Sequence, residues 1–233
     1  MTQQPRLLEQ VITKSVQLPY LLFLPRGYGT DPEQRWPLIL FLHGAGQRGD
    51  DLEMLKQHGI PRIVERDHNF PFIAVSPQCR EHWDWSMEMD ALDALLQEII
   101  AAYAVDERRI YLTGLSMGGR GAWHLATLFS QRFAALAPVC GRRPDILRNT
   151  PNMAAIKHLP VWVFHGARDE IVPLAESEFL VEALRAAGGN AHLTIYPDAA
   201  HDSWTATYDN PALYTWFLQH TLSGSAMDTT DHG

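Results

Sequence analysis

Only 2 cysteines, Cys79 and Cys140, occur among 233 residues. Each closes an apolar run, so free thiols are expected rather than a disulfide framework. No CxxC, HExxH or EF-hand spacing exists, and no metal and no cofactor are expected. Nowhere do about 18 apolar residues run together, and the opening Met1-Thr-Gln-Gln-Pro-Arg6 lacks the apolar core of a signal peptide. These absences predict a cytoplasmic protein with no membrane partner. Basic charge is also scarce: 19 Lys and Arg face 27 Asp and Glu, for a net charge of -8 and no basic stripe. Nucleic acid is therefore not an expected partner.

The chain does carry Gly114-Leu115-Ser116-Met117-Gly118, between an apolar run (Arg109 to Thr113) and a helix-like stretch (Arg120 to Phe129). A strand that turns abruptly into a helix leaves room only for very small residues on either side of the central one, which glycine supplies. Ser116 is then held out at the tip, beside the unpaired amides of the helix N-terminus, where a negative oxygen is favoured. This geometry suits acyl transfer, provided that an acid and a histidine follow in chain order.

Both do follow. In Leu159-Pro-Val-Trp-Val-Phe-His-Gly-Ala-Arg-Asp169 a buried-looking strand runs into a turn bearing Asp169, at the carboxyl end where ligands of open α/β sheets gather. Glu170 is the nearest rival, but the shorter Asp169 side chain is better placed to fix an imidazole tautomer. A helix cap or Asx turn is the structural alternative for Asp169. Of the 11 histidines, only His201 combines a loop after a strand, a position after the acid and an aromatic neighbour. His43 and His165 each precede a glycine at a strand end and read as structural. Oxyanion donors are expected from the amide of Met117 and, in the loop His43-Gly-Ala-Gly-Gln-Arg-Gly49, from that of Ala45.

With these motifs, and with Ser76-Pro-Gln-Cys79 and Tyr196-Pro-Asp-Ala-Ala-His-Asp-Ser-Trp204, the chain resembles the small, single-domain serine esterases of the α/β-hydrolase fold over roughly residues 5 to 220. It is similar to the carboxylesterase/phospholipase and polyhydroxybutyrate-depolymerase-like esterases, which overlap with peptidases of prolyl-oligopeptidase type. The resemblance implies the same triad, Ser116, Asp169 and His201. It implies a small-molecule ester as substrate, on short-chain or aryl groups; a small serine peptidase and a non-catalytic binding protein are the alternatives.

The predicted architecture is α/β: one domain over residues 1–222, with an eight-stranded, mostly parallel sheet covered by helices on both faces and no sizeable cap. Its first two strands, Leu8 to Lys14 and Pro19 to Leu24, are expected to pair at the sheet edge, and one helical stretch to span Leu52 to Arg66. The connection Gly141 to Pro160 is too short for a cap domain, so an open site is expected. Residues 223–233 are polar and expected to be disordered. Trp83, Trp85, Gln78 and Trp204 are the candidate substrate-binding residues, since indoles on the catalytic rim suit an acyl or aryl group.

Overall fold

A computed structural model describes residues 3–11, 13–147 and 153–222. The strand β2 (Trp36–Leu42) sets the pattern for the whole sheet. It reads as one apolar run because both of its faces are covered. Successive side chains point to opposite faces, so Leu38, Leu40 and Leu42 join one core cluster while Ile39 and Phe41 join the other.

Beside it lie β1 (Tyr20–Phe23), β3 (Ile73–Pro77), β4 (Val105–Leu115), β5 (Ala135–Val139), β6 (Val161–Gly166) and β7 (Ala191–Tyr196). The sheet has seven strands in the order β1-β3-β2-β4-β5-β6-β7. Only β1 is antiparallel to its neighbour. The chain steps from β2 to β3 in one direction, then crosses back over β2 to β4 and runs the other way. Right-handed crossovers therefore put α1 (Gly59–Val64) on one face and α2 (Met89–Ala102), α3 (Met117–Leu128) and α4 (Ala175–Ala186) on the other. The two clusters follow this division, and Tyr208 of α5 (Trp204–Tyr208) and Phe217 of α6 (Pro211–Leu218) join the α1 face. The reversal of strand order falls between β2 and β4, where an open parallel sheet leaves a crevice at its carboxyl ends.

Among the described residues seven strands stand where eight were expected, because residues 8–11, 13 and 14 of the expected first strand do not enter the sheet. Leu8 and Val11 are 82% and 95% exposed, so the segment buries no apolar face against the sheet, and β1 is the edge strand, paired with β3, with Leu22 opposite Val75. The helix expected over Leu52 to Arg66 is broken at His58, whose backbone is extended, into a 3-10 stretch (Leu52–Gln57) and α1. Gly59 follows with φ +63, directly against the Phe41 ring. The short helix α5 was not anticipated: Trp-Thr-Ala-Thr-Tyr has weak intrinsic propensity. It is held by Asp202, whose carboxylate accepts from the Thr205 amide at 3.0 Å, and by the wholly buried Tyr208, whose hydroxyl lies 2.9 Å from that of Thr113. The connection from Gly141 to Pro160 shows one 3-10 turn on each side, Asp145–Leu147 and Met153–Ala155. Residues 148–152 between them and the polar stretch 223–233 lie outside the described residues. No described helix is long and apolar enough to cross a membrane.

Candidate active site

Ser116 is the hinge between β4 and α3 and has φ 54 and ψ -114. For a residue with a side chain this backbone costs on the order of 1–3 kcal/mol and persists only where the surroundings enforce it. Two bonds do so: the Ser116 amide donates to the Val139 carbonyl at 2.9 Å, and its carbonyl accepts from the Arg120 amide at 3.0 Å. The turn also needs α3 pressed against β2. A Cβ at Gly118 would stand 1.9 Å from the carbonyl oxygen of Leu42, so only glycine fits.

The acid and the histidine arrive on neighbouring strands, β6 and β7. Their two loops are tied together, the Arg168 amide donating to the Ala199 carbonyl at 3.0 Å and the Ala167 amide to that of Tyr196 at 2.9 Å. Within this frame His201 Nδ1 lies 2.7 Å from Asp169 Oδ2 and His201 Nε2 lies 2.9 Å from Ser116 Oγ. The other oxygen of Asp169 accepts the amides of Ile171 and Val172, each at 2.9 Å. The turn-capping alternative for Asp169 thus coexists with the histidine contact on a different oxygen. Burial of this carboxyl pushes its pKa up, but the bonds from His201 and the two amides outweigh it, and the net shift is downward. Glu170 is exposed. Trp204 stands edge-on to the His201 ring, centroids 5.3 Å apart.

The loop after β2 is built around His43, which is wholly buried. Its Nε2 accepts from the Cys79 amide at 2.9 Å, which leaves Nδ1 to donate to the Gly44 carbonyl at 2.6 Å. Burial drives the pKa of His43 down to about 4, against the opposing Gly44 bond and with the help of Arg48. A neutral imidazole in one tautomer therefore shapes the segment that carries Ala45. Ala45 opens a 3-10 turn (Ala45–Gln47) and Met117 opens α3. Each is a first helical residue, whose amide has no acceptor within its own helix. A cleft of about 340 Å³ lies against Ser116 and His201, walled by Ala45, Gly46, His58 and Trp204. A second, of about 260 Å³, meets Ser116 from the α3 side and is lined by Met117, Arg120, Arg142, Ile171 and Val172.

With this geometry the comparison with known proteins is decisive at the family level. Residues 64–213 match the dienelactone hydrolase family. The chain belongs to that family. Over 138 residues it is 30% identical to a Yersinia pestis protein of carboxymethylenebutenolidase type, the match covering 51% of this chain and 49% of that relative. The chain thus spans about half the length of that relative. A poly(3-hydroxyoctanoate) depolymerase of Pseudomonas fluorescens is 25% identical over 217 residues, 82% of this chain and 77% of the depolymerase. A solved structure of a thermostable esterase superposes with a TM-score of 0.76 at 31% identity, over 89% of this chain and 60% of the esterase.

Two expected substrate-binding residues of this family member prove to be internal. Trp85 is wholly buried and donates its indole N–H to the His43 carbonyl at 3.0 Å. Gln78 is equally buried and donates to the carbonyls of Gln47 and Asp51 at 3.0 and 2.8 Å, fastening the loop after β2 to the end of β3. Both lie on the catalytic rim in sequence but pack beneath it. Trp83 lies under the Arg80 guanidinium, 4.6 Å from its ring centroid, and lines neither of these two clefts. Trp204 does line one. Arg120 reaches the second cleft while bonded to Asp84 at 3.2 Å and Asp145 at 2.7 Å. Among the described residues, the cluster with metal-ligating chemistry is Cys140, Asp169 and His201. Its carboxylate and imidazole are already bonded to each other, and burial raises the Cys140 thiol to about 12, which keeps it protonated. His43 and His165, read from the sequence as structural, share one signal, a His-Gly pair at the end of a strand.

Proposed function

We propose that this chain is a serine carboxylic-ester hydrolase that works through an acyl-enzyme. Ser116 is the nucleophile, His201 the general base and then acid, and Asp169 the carboxylate that orients His201 and stabilises its imidazolium. His201 Nε2 takes the hydroxyl proton as Ser116 Oγ adds to the ester carbonyl. The amides of Met117 and Ala45 receive the oxyanion. Collapse of the tetrahedral intermediate breaks the bond to the alcohol, which leaves with the proton from His201. Water then repeats the sequence and frees the acid.

The observation that carries this reading is the unbroken path Ser116 Oγ to His201 to Asp169, at 2.9 and 2.7 Å. Family membership supports ester chemistry. The substrate class inferred is short-chain or aryl esters, supported by two modest, open clefts that meet at Ser116 rather than one long apolar groove. The test is a fluorophosphonate probe, followed by turnover of p-nitrophenyl esters and of peptide substrates side by side. Labelling lost in Ser116→Ala, with esters preferred, is expected. An unlabelled wild-type protein would overturn the reading, and preferred cleavage of peptides would move it to a serine peptidase.

A further inference from the structure

Behind the acid lies a second imidazole that this mechanism leaves unused. His165 is the fifth residue of β6, in Val-Trp-Val-Phe-His-Gly, and is wholly buried. A polar ring in such a strand is unfavourable unless both nitrogens find partners. Nε2 lies 2.9 Å from the Val172 carbonyl oxygen and 3.1 Å from Asp169 Oδ2. Neither a carbonyl nor a carboxylate oxygen can donate, so the hydrogen is on Nε2. Nδ1 faces the hydroxyl of Ser177, buried on α4, at 2.7 Å. A hydroxyl turns to suit its neighbour, so Ser177 fixes the ring's orientation.

We propose that His165 is a positioning residue for the triad: its Nε2–H, aimed by Ser177, is bonded to the Val172 carbonyl and lies 3.1 Å from Asp169 Oδ2, and this positive ring edge holds that oxygen toward His201. The proposal rests on the triad reading above. Asp169 accepts three hydrogen bonds, the amides of Ile171 and Val172 on Oδ1 and the imidazole of His201 on Oδ2, and the Nε2–H edge of His165 lies 3.1 Å from Oδ2 as a fourth, electrostatic neighbour. A carboxylate offers about four lone-pair sites; three are matched by hydrogen bonds and the fourth faces the His165 ring. A purely architectural histidine would need only the Val172 carbonyl, and the contact to Oδ2 is what goes beyond that.

Removing the His165 donor has a definite consequence. Oδ2 becomes more basic and less constrained, so it holds the His201 imidazolium more strongly, and His201 loses its proton at higher pH. The other titratable or charged groups around the site include the Cys140 thiol after β5, the exposed Glu170, Asp202 at the start of α5, Glu176 of α4, which is bonded to Arg143 at 2.9 Å, and Arg120, Arg142 and His58 on the cleft walls. None of them replaces the His165 ring edge beside Oδ2.

The experiment follows hydrolysis of a short p-nitrophenyl ester from about pH 5 to about pH 9 by the full chain, its active sites counted by fluorophosphonate. For His165→Leu the acid limb of kcat/KM is expected to move up by about half a pH unit or more. Its kcat should fall about tenfold per labelled site, with KM little changed. His165→Gln, which keeps an Nε2 donor, should bring the limb back toward wild type. Ser177→Ala should move it in the same direction by less, and it carries the test if His165→Leu does not fold. An unmoved acid limb in a normally labelled His165→Leu or Ser177→Ala protein overturns the proposal, as does a Gln variant no better than Leu. Failure of the wild-type protein to label would overturn the triad reading instead.

Discussion

On the proposed mechanism Asp169 acts on Ser116 only through His201, so the three side chains work as one unit and their losses are not expected to add. Ser116→Ala and His201→Ala should each lower kcat by roughly 10⁴-fold or more, and the double variant should be scarcely worse. Asp169→Asn should cost about 10⁴-fold by presenting the wrong imidazole tautomer, whereas Glu170→Gln, on an exposed side chain, should change little. Steady-state kinetics on a soluble ester check both, and a reversed ranking would move the acid one residue along. These residues were legible because each sits in a short, recognisable segment at the end of a strand. Trp85 and Gln78 were misread for the opposite reason: sequence placed them on the rim, but whether a side chain there points to solvent or inward depends on what packs over it.

At the scale of elements, the elbow depends on α3 lying hard against β2. Gly118→Ala would push a Cβ to 1.9 Å from the Leu42 carbonyl oxygen and 2.7 Å from that of His43. It is expected to destabilise the protein by about 3 kcal/mol or more, or to prevent folding. A urea midpoint equal to that of the wild type would show that the close packing is not required. The loop after β2 has its own signature in pH. Burial lowers the His43 pKa from 6.5 to about 4, so the unfolded chain takes up the proton first. Its contribution is fully present above pH 6.5 and is lost as pH falls through about 4. The loss amounts to about 3 kcal/mol when complete. Urea unfolding at about pH 7 and about pH 4 measures it, and His43→Gln should be less stable at neutral pH but flatter across this window. An equally steep loss in His43→Gln would assign the pH dependence to other groups.

At the scale of the whole molecule, two clefts converge on Ser116 from opposite sides, walled on one side by Ala45, His58 and Trp204 and on the other by Arg120 and Arg142. Ordinary saturation on esters of about two to four acyl carbons is expected, with no jump in rate as substrate passes its solubility limit. Longer chains should be poorer, since an open rim buries few methylenes and each buried one contributes only ~0.8 kcal/mol. Rate against concentration across that limit, for a short and a long acyl ester, tests this; a sharp interfacial rise would point to a lipase-like groove. By itself the sequence determined the α/β class, the order of strands from β2 onward and the three residues whose side chains hydrogen-bond in line, Ser116, His201 and Asp169. Those properties are local: an apolar run, a glycine turn, a polar residue just past a strand. The tertiary structure alone decided that Leu8 and Val11 stay exposed outside the sheet, that Trp85 and Gln78 brace the site from within, and that His165 reaches Asp169. Each depends on which segments, far apart in sequence, come into contact, and local pattern does not encode that.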